Sequence, residues 1–245
     1  MSSNINKWKI LMQTPEEQKY MIPLSSYVLK LFGEIFGVGI INSETCLLYN
    51  DEKAAYPMLI INRNPIMIRT NVEKFRCWEQ FIFQLSHEMT HYIIRQYKTD
   101  KTAIVKWFEE TICEAMSLYI LRVSSMRWIE CALHSIKPNY GVALEFYWRD
   151  VYKQTEESVL KRCHTLHELE LVEEACETNR KGRSIERNYL FNTFCDMPNS
   201  IAEFVYYPLY MHGDLQIDFE TWTSNQNNNL LIPHLKAIQP KLTAS

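Results

Sequence analysis

Six glycines stand among 245 residues, and nowhere do they gather into a phosphate-cradling loop. Nucleotide-driven chemistry therefore has no support in the sequence. No apolar run approaches the roughly 18 uninterrupted residues that a membrane span needs. The opening stretch, MSSNINKWKILMQTPEEQKY, lacks both a long apolar core and a small-residue cleavage site, so the expectation is a soluble, cytoplasmic chain that does not use the signal-peptide route. An excess of positive charge is missing too. Lys and Arg number 26 against 29 Asp and Glu, giving a net charge of -3 and a pI near 6.2. Such a chain has no broad basic field to recruit phosphate backbones or anionic lipid, and neither nucleic acid nor membrane is the expected partner. The seven cysteines are odd in number and form no CxxC pair, which reads as reduced, mostly buried thiols.

What is present is bulk for a core. Hydrophobic residues make up 47% of the chain and aromatics 13%, enough for a single domain spanning residues 1–245. Apolar positions at helical spacing mark residues 26–37, with Gly37 as a stop. GIINSETCLLYN, YPMLII and PIMIRT are strand-like, the last two flanking an Asn62-Arg63-Asn64 turn, and Pro65 argues for a sheet edge. From Val72 the pattern becomes strongly helical through Ile93. After the polar break KTDKTA a second helix is expected from Ile104 to about Val123, apolar nearly all round and so buried on most sides. MRWIECALHSI, GVALEFYWRDVYKQ, EESVLKRCHTLHELELVEEACE and FNTFCDMPNSIAEFVYYPLY read as further helix, the last broken near Pro198, and NQNNN as loop. The class is α+β, helix-dominated, with a small sheet ahead of two long helices.

The stretch QLSHEMTHYIIRQY carries the chemistry. His87 and His91 are four apart, so on a helix they share one face with roughly 6 Å of rise between them. Glu88 completes H-E-x-x-H, in which two imidazoles serve one metal while the adjacent carboxylate is turned round the helix to act on water instead of binding the ion. A catalytic zinc needs a third protein ligand and one open position. The following helix offers Glu109, Glu110 and Glu114. Glu110 and Glu114 lie on one otherwise apolar stripe with Trp107, Leu118 and Leu121, where an unpaired acid is costly. A dication answers for one, and a histidine's second ring nitrogen for the other.

HEMTH followed by WFEETICEAMS, within Trp78 to Ser117, resembles the gluzincin metallopeptidases, the thermolysin-like class whose second helix brings a glutamate to the zinc. The resemblance implies one Zn²⁺ held by His87, His91 and Glu110, which stands 19 positions after His91. It implies Glu114 supporting a zinc-bound histidine, with Thr111 standing where the family commonly has Gly or Ala. It further implies peptide-bond hydrolysis of a protein or peptide substrate, Glu88 taking the proton of water and passing it to the leaving amine. The family also stabilises the oxyanion with a Tyr or His. Tyr206, Tyr207, Tyr210 and His212 are the candidates, His212 preferred because Asp214 can orient it. Strand 57–62 or 65–69, as a sheet edge, can receive an extended substrate. The alternative is a binding or regulatory protein that keeps a catalytically inactive zincin core as a scaffold.

Cys163, His164 and His167 read as part of a solvated charged face rather than a second metal site. Arg180, Lys181, Arg183 and Arg187 read as an exposed turn. Met116, Met126 and the tryptophans read as core filling.

Overall fold

The computed structural model describes residues 2–100, 104–176, 179–226 and 229–243. Its contacts cluster into two compact units, Met1–Ile93 with Ser117–Asp150, and Ile94–Met116 with Val151–Ser245. Residues 101–103 of the expected polar break and 227–228 of the Asn-rich stretch lie outside the described residues.

The first unit holds a five-stranded sheet in the order β1-β2-β3-β5-β4. A hairpin absent from the sequence reading opens the chain: β1 (Ser2–Ile5) and β2 (Trp8–Leu11) pair antiparallel around a turn in which Asn6 takes a positive φ of 54°, a conformation that asparagine tolerates. α1 (Pro15–Phe36) begins well before the expected residue 26. Thr14 and Glu17 form a reciprocal capping box and Pro15 takes the first turn, so the sequence itself fixes the start. After a single-turn α2 (Val38–Ile41), β3 (Cys46–Asn50) runs parallel to both β2 and β5 (Ile66–Thr70), and β4 (Met58–Ile60) pairs antiparallel with β5.

The edges are therefore β1 and β4. The expectation that 65–69 is an edge fails, because β5 is hydrogen-bonded on both sides; Pro65 precedes the strand's first paired residue and so costs the ladder no donor. Along β3 and β5 buried and half-buried residues alternate, as a sheet with one covered face requires. Asn50 pins that covered face. Its Oδ1 accepts from the Val72 amide at 2.8 Å and the Thr70 hydroxyl at 3.0 Å, while its Nδ2 donates to the Val72 carbonyl and to the buried Glu17 carboxylate. The chain leaving β5 is held in place by these bonds just before it turns into helix.

That helix, α3 (Trp78–Arg95), starts later than the apolar periodicity predicts, since residues 73–75 form a 3₁₀ turn with Phe75 at φ 49°. Tyr92 of α3 meets Trp8 edge-on at 5.3 Å, and Trp78 packs with Tyr20 and Tyr140. MRWIECALHSI, expected as helix, is two 3₁₀ turns at Trp128–Glu130 and Ala132–Ser135. Met126 is 60% exposed rather than core; it is the last residue of its helix, where one side no longer faces a neighbour.

α4 (Lys106–Met126), whose residues are shared between the two units, is buried nearly all round, as its composition predicts. α5 (Tyr140–Lys153) leads into a non-helical stretch, so the long charged helix expected over 156–177 is shorter: α6 spans Leu166–Ala175, set by a Thr165/Glu168 capping box. α7 (Ser184–Asp196) and a 3₁₀ segment Pro198–Tyr210 flank the break near Pro198, and α8 (Phe219–Asn225) and α9 (Ile232–Ala237) follow. His164 and His167 are exposed, in keeping with a solvated face. All six tryptophans are buried. Helix dominates and the sheet is small, which is the α+β class. Among the described residues, no helix is long and apolar enough to cross a membrane.

Candidate metal centre

His87 and His91 lie on α3, 4% exposed and half-buried respectively. Gln84, one turn before His87, is clasped by Asn71 at the end of β5: the Asn71 amide donates to Gln84 Oε1 at 2.9 Å, and Gln84 Nε2 donates to Asn71 Oδ1 at 2.7 Å. This pair of hydrogen bonds, one from the Asn71 backbone and one between side chains, fixes the rotation of α3 about its axis and with it the direction of the histidines. The sequence hinted at it only through Gln84 sharing their face.

The two imidazoles stand at 68° with ring centroids 4.9 Å apart, and their Nε2 atoms are separated by 3.2 Å. With one ring protonated at Nε2, that is a hydrogen-bond length. It is also close to the ~3.3 Å that two nitrogens keep when each lies ~2.0 Å from one tetrahedral zinc. One ligand atom each from His87, His91 and Glu110 lie within 4.8 Å of one another. Two imidazole nitrogens and one carboxylate oxygen are a donor set that suits zinc and leaves a fourth position open. Glu88, 4% exposed, follows His87 directly and projects about 100° round the helix from it.

The start of α4 is fixed from outside the helix. Glu173 of α6 accepts from the Lys106 and Trp107 amides at 2.7 and 2.9 Å, satisfying two of the orphan donors of the first turn and placing negative charge at the positive end of the dipole. Trp107 Nε1 donates to the Leu215 carbonyl at 2.9 Å. Thr111, where the resembled family has a smaller residue, is fully buried with its hydroxyl donating to Trp107 O at 2.6 Å, so its polar atom is satisfied inside its own helix.

The three glutamates of α4 go to different partners. Glu109 is buried and lies 3.0 Å from Lys98 Nζ, and the Tyr207 hydroxyl donates to it. Burial, then the Glu109 charge, holds the Tyr207 phenol well above its ordinary value. Glu114, expected to brace a histidine, has its carboxylate 3.2 Å from Arg183 Nη2 and 4.0 Å from Arg187 Nη1. Arg183 and Arg187 are consequently 1% and 5% exposed, and the expectation of an exposed basic turn is corrected for these two. Their guanidinium groups turn inward because Glu114 offers the opposite charge; Arg183 also donates to the Cys176 carbonyl at 2.7 Å.

Of the oxyanion candidates, Tyr207 is spent on Glu109, Tyr210 stacks on Trp222, and Tyr206 meets Tyr97 edge-on at 5.0 Å. His212 is exposed, its Nδ1 2.9 Å from Asp214 Oδ1, the orientation by a carboxylate that the sequence suggested.

No family model, curated protein or solved structure matches this chain.

Proposed function

We propose that the chain is a zinc-dependent peptidase whose metal is held by His87, His91 and Glu110. The observation that carries this reading is the convergence of those three side chains within 4.8 Å, beside a glutamate in the H-E-x-x-H position. A zinc ion there supplies Lewis acidity, which acidifies water and polarises a peptide carbonyl. Glu88 is the general base: its carboxylate takes a proton from the attacking water and passes it to the departing amine. His212, held by Asp214, is assigned to the oxyanion that forms on the scissile carbonyl. Glu114, one turn beyond Glu110 and paired with Arg183, stiffens the helix that carries the third ligand. The free edge of β4 pairs with an extended substrate segment through its unbonded amides and carbonyls.

The test is incubation of wild type and Glu88→Gln with a denatured proteome, followed by sequencing of newly formed amino termini. A peptidase generates new termini with the wild type, while the variant keeps its zinc and cuts at a rate lower by about 10²–10⁴. An inactive scaffold gives the same termini in both samples and in a protein-free control.

A further inference from the structure

The first unit carries an apolar face on its outside, independent of the zinc reading. α5 buries Leu144 and Trp148 on one side. Its opposite side holds Val142 and Phe146, four positions apart and 53% and 71% exposed, where a solvated helix carries polar residues. Met126 and Ile129, 60% and 73% exposed, extend the face, since Met126, Ile129, Val142 and Glu145 line one surface hollow of about 260 Å³. Of the thirteen large hydrophobic side chains exposed among the described residues, five fall between Met126 and Phe146, a cluster and not the scatter of single residues that a monomer normally shows.

The backbone under this face is held firmly. Gly141 lets α5 seat against the end of α4, because a Cβ there would stand 2.7 Å from the Ser125 carbonyl oxygen. Trp128 Nε1 donates to the Lys137 carbonyl at 2.8 Å and so ties together the connection between the two helices. A surface ordered in advance loses little entropy when it docks.

Charge selects the occupant. Glu145 and Arg149 lie on the same side of α5, one turn apart and 2.7 Å from each other, each side chain about half exposed. One acid and one base at this spacing are complementary to their own antiparallel copy, in which each Glu145 meets the other chain's arginine, twice about a twofold axis. A partner charged with one sign would instead oppose one of the two. The four most exposed side chains present roughly 400–500 Å² of apolar surface, and two copies with their polar rims approach the about 1,200 Å² at which specific interfaces begin.

We propose that this face pairs two copies of the chain as an isologous dimer, α5 antiparallel to its counterpart, with Phe146 beside the axis and Glu145 against the partner's Arg149.

Sedimentation velocity of the full chain from about 1 to 200 μM tests this. The expected dissociation constant lies between about 1 and 50 μM, as suits an interface at the small end of the range. Phe146→Glu weakens association at least about tenfold and leaves circular dichroism unchanged, because the side chain it replaces is exposed. Glu145→Arg alone and Arg149→Glu alone each weaken it at least about fivefold, since like charges then meet across the axis. An equimolar mixture of those two variants restores the dimer, because every charge in the mixed pair again faces its opposite. No partner other than a second copy produces that recovery. A wild type that stays monomeric at about 200 μM, a dimer indifferent to Phe146→Glu, or a mixture no more associated than its components overturns the proposal.

Discussion

Lys98 Nζ lies 3.0 Å from Glu109 Oε2, with both side chains at most 6% exposed. Taking two such charges out of water is expensive, and what makes it tolerable is that neither is left alone: the Tyr207 hydroxyl adds a hydrogen bond to the same carboxylate. Removing one member strands the other. Lys98→Met is expected to lower stability by about 3–5 kcal/mol and Tyr207→Phe by about 1–3 kcal/mol. Urea unfolding of both variants checks this, and a loss below about 0.5 kcal/mol for Lys98→Met, the size of a surface substitution, contradicts the buried pair.

Glu173 caps α4 from a separate helix through two amide hydrogen bonds. Glu173→Ala is expected to cost about 1–2 kcal/mol, and Glu173→Gln less than Ala, since the amide oxygen still accepts. Hydrogen exchange locates the effect: protection should fall first at the Lys106 and Trp107 amides. A loss of protection spread evenly over α4 contradicts the capping role.

Alkaline pH acts through tyrosine. Burial first of all, together with hydrogen bonds to Glu79 and Glu109 for the latter two, raises the phenols of Tyr27, Tyr140 and Tyr207 above the ordinary value of 10.0. A group whose folded value is raised contributes stability that is intact below its unfolded value and is lost as pH climbs beyond it, because the unfolded chain gives up the proton first. Stability should therefore fall with rising pH above about 10. Ultraviolet titration should show these three phenols ionising only with unfolding; a smooth titration of all 14 tyrosines before loss of circular dichroism contradicts the assignment.

All seven cysteines are free, and only Cys77 and Cys195 are not buried. Burial pushes the Cys46 and Cys176 thiols up to about 12, which removes the reactive thiolate near neutral pH. Native alkylation with iodoacetamide should modify Cys77 and Cys195 alone, and denaturation should release the other five. Rapid native modification of Cys46 or Cys176 contradicts their burial.

Much of the fold was legible where local chemistry acts alone. Strand-like apolar runs beside turn residues marked β3, β4 and β5, and the apolar surround of α4 marked its burial. The pairing of His87 with His91 was legible because i, i+4 spacing on a helix fixes geometry without reference to the rest of the chain, and their Nε2 atoms lie 3.2 Å apart. What periodicity does not encode was missed. The β1–β2 hairpin rests on a two-residue turn without glycine. The interior place of β5 depends on pairing with β3, a contact some twenty residues away in sequence. Arg183 and Arg187 look like surface residues until Glu114, nearly seventy residues upstream, is brought to them. Likewise nothing in the connection after α3 announces that Lys98 turns inward to Glu109.

The zinc ion proposed for His87, His91 and Glu110 is open to direct measurement. Metal analysis with X-ray absorption on the purified wild type tests it most directly. The expected result is about one equivalent of zinc, two imidazole nitrogens and a carboxylate oxygen at about 2.0–2.2 Å, and loss of the metal in His91→Ala. Less than about a tenth of an equivalent after gentle purification in zinc-containing buffer, or zinc retained equally by wild type and His91→Ala, contradicts it.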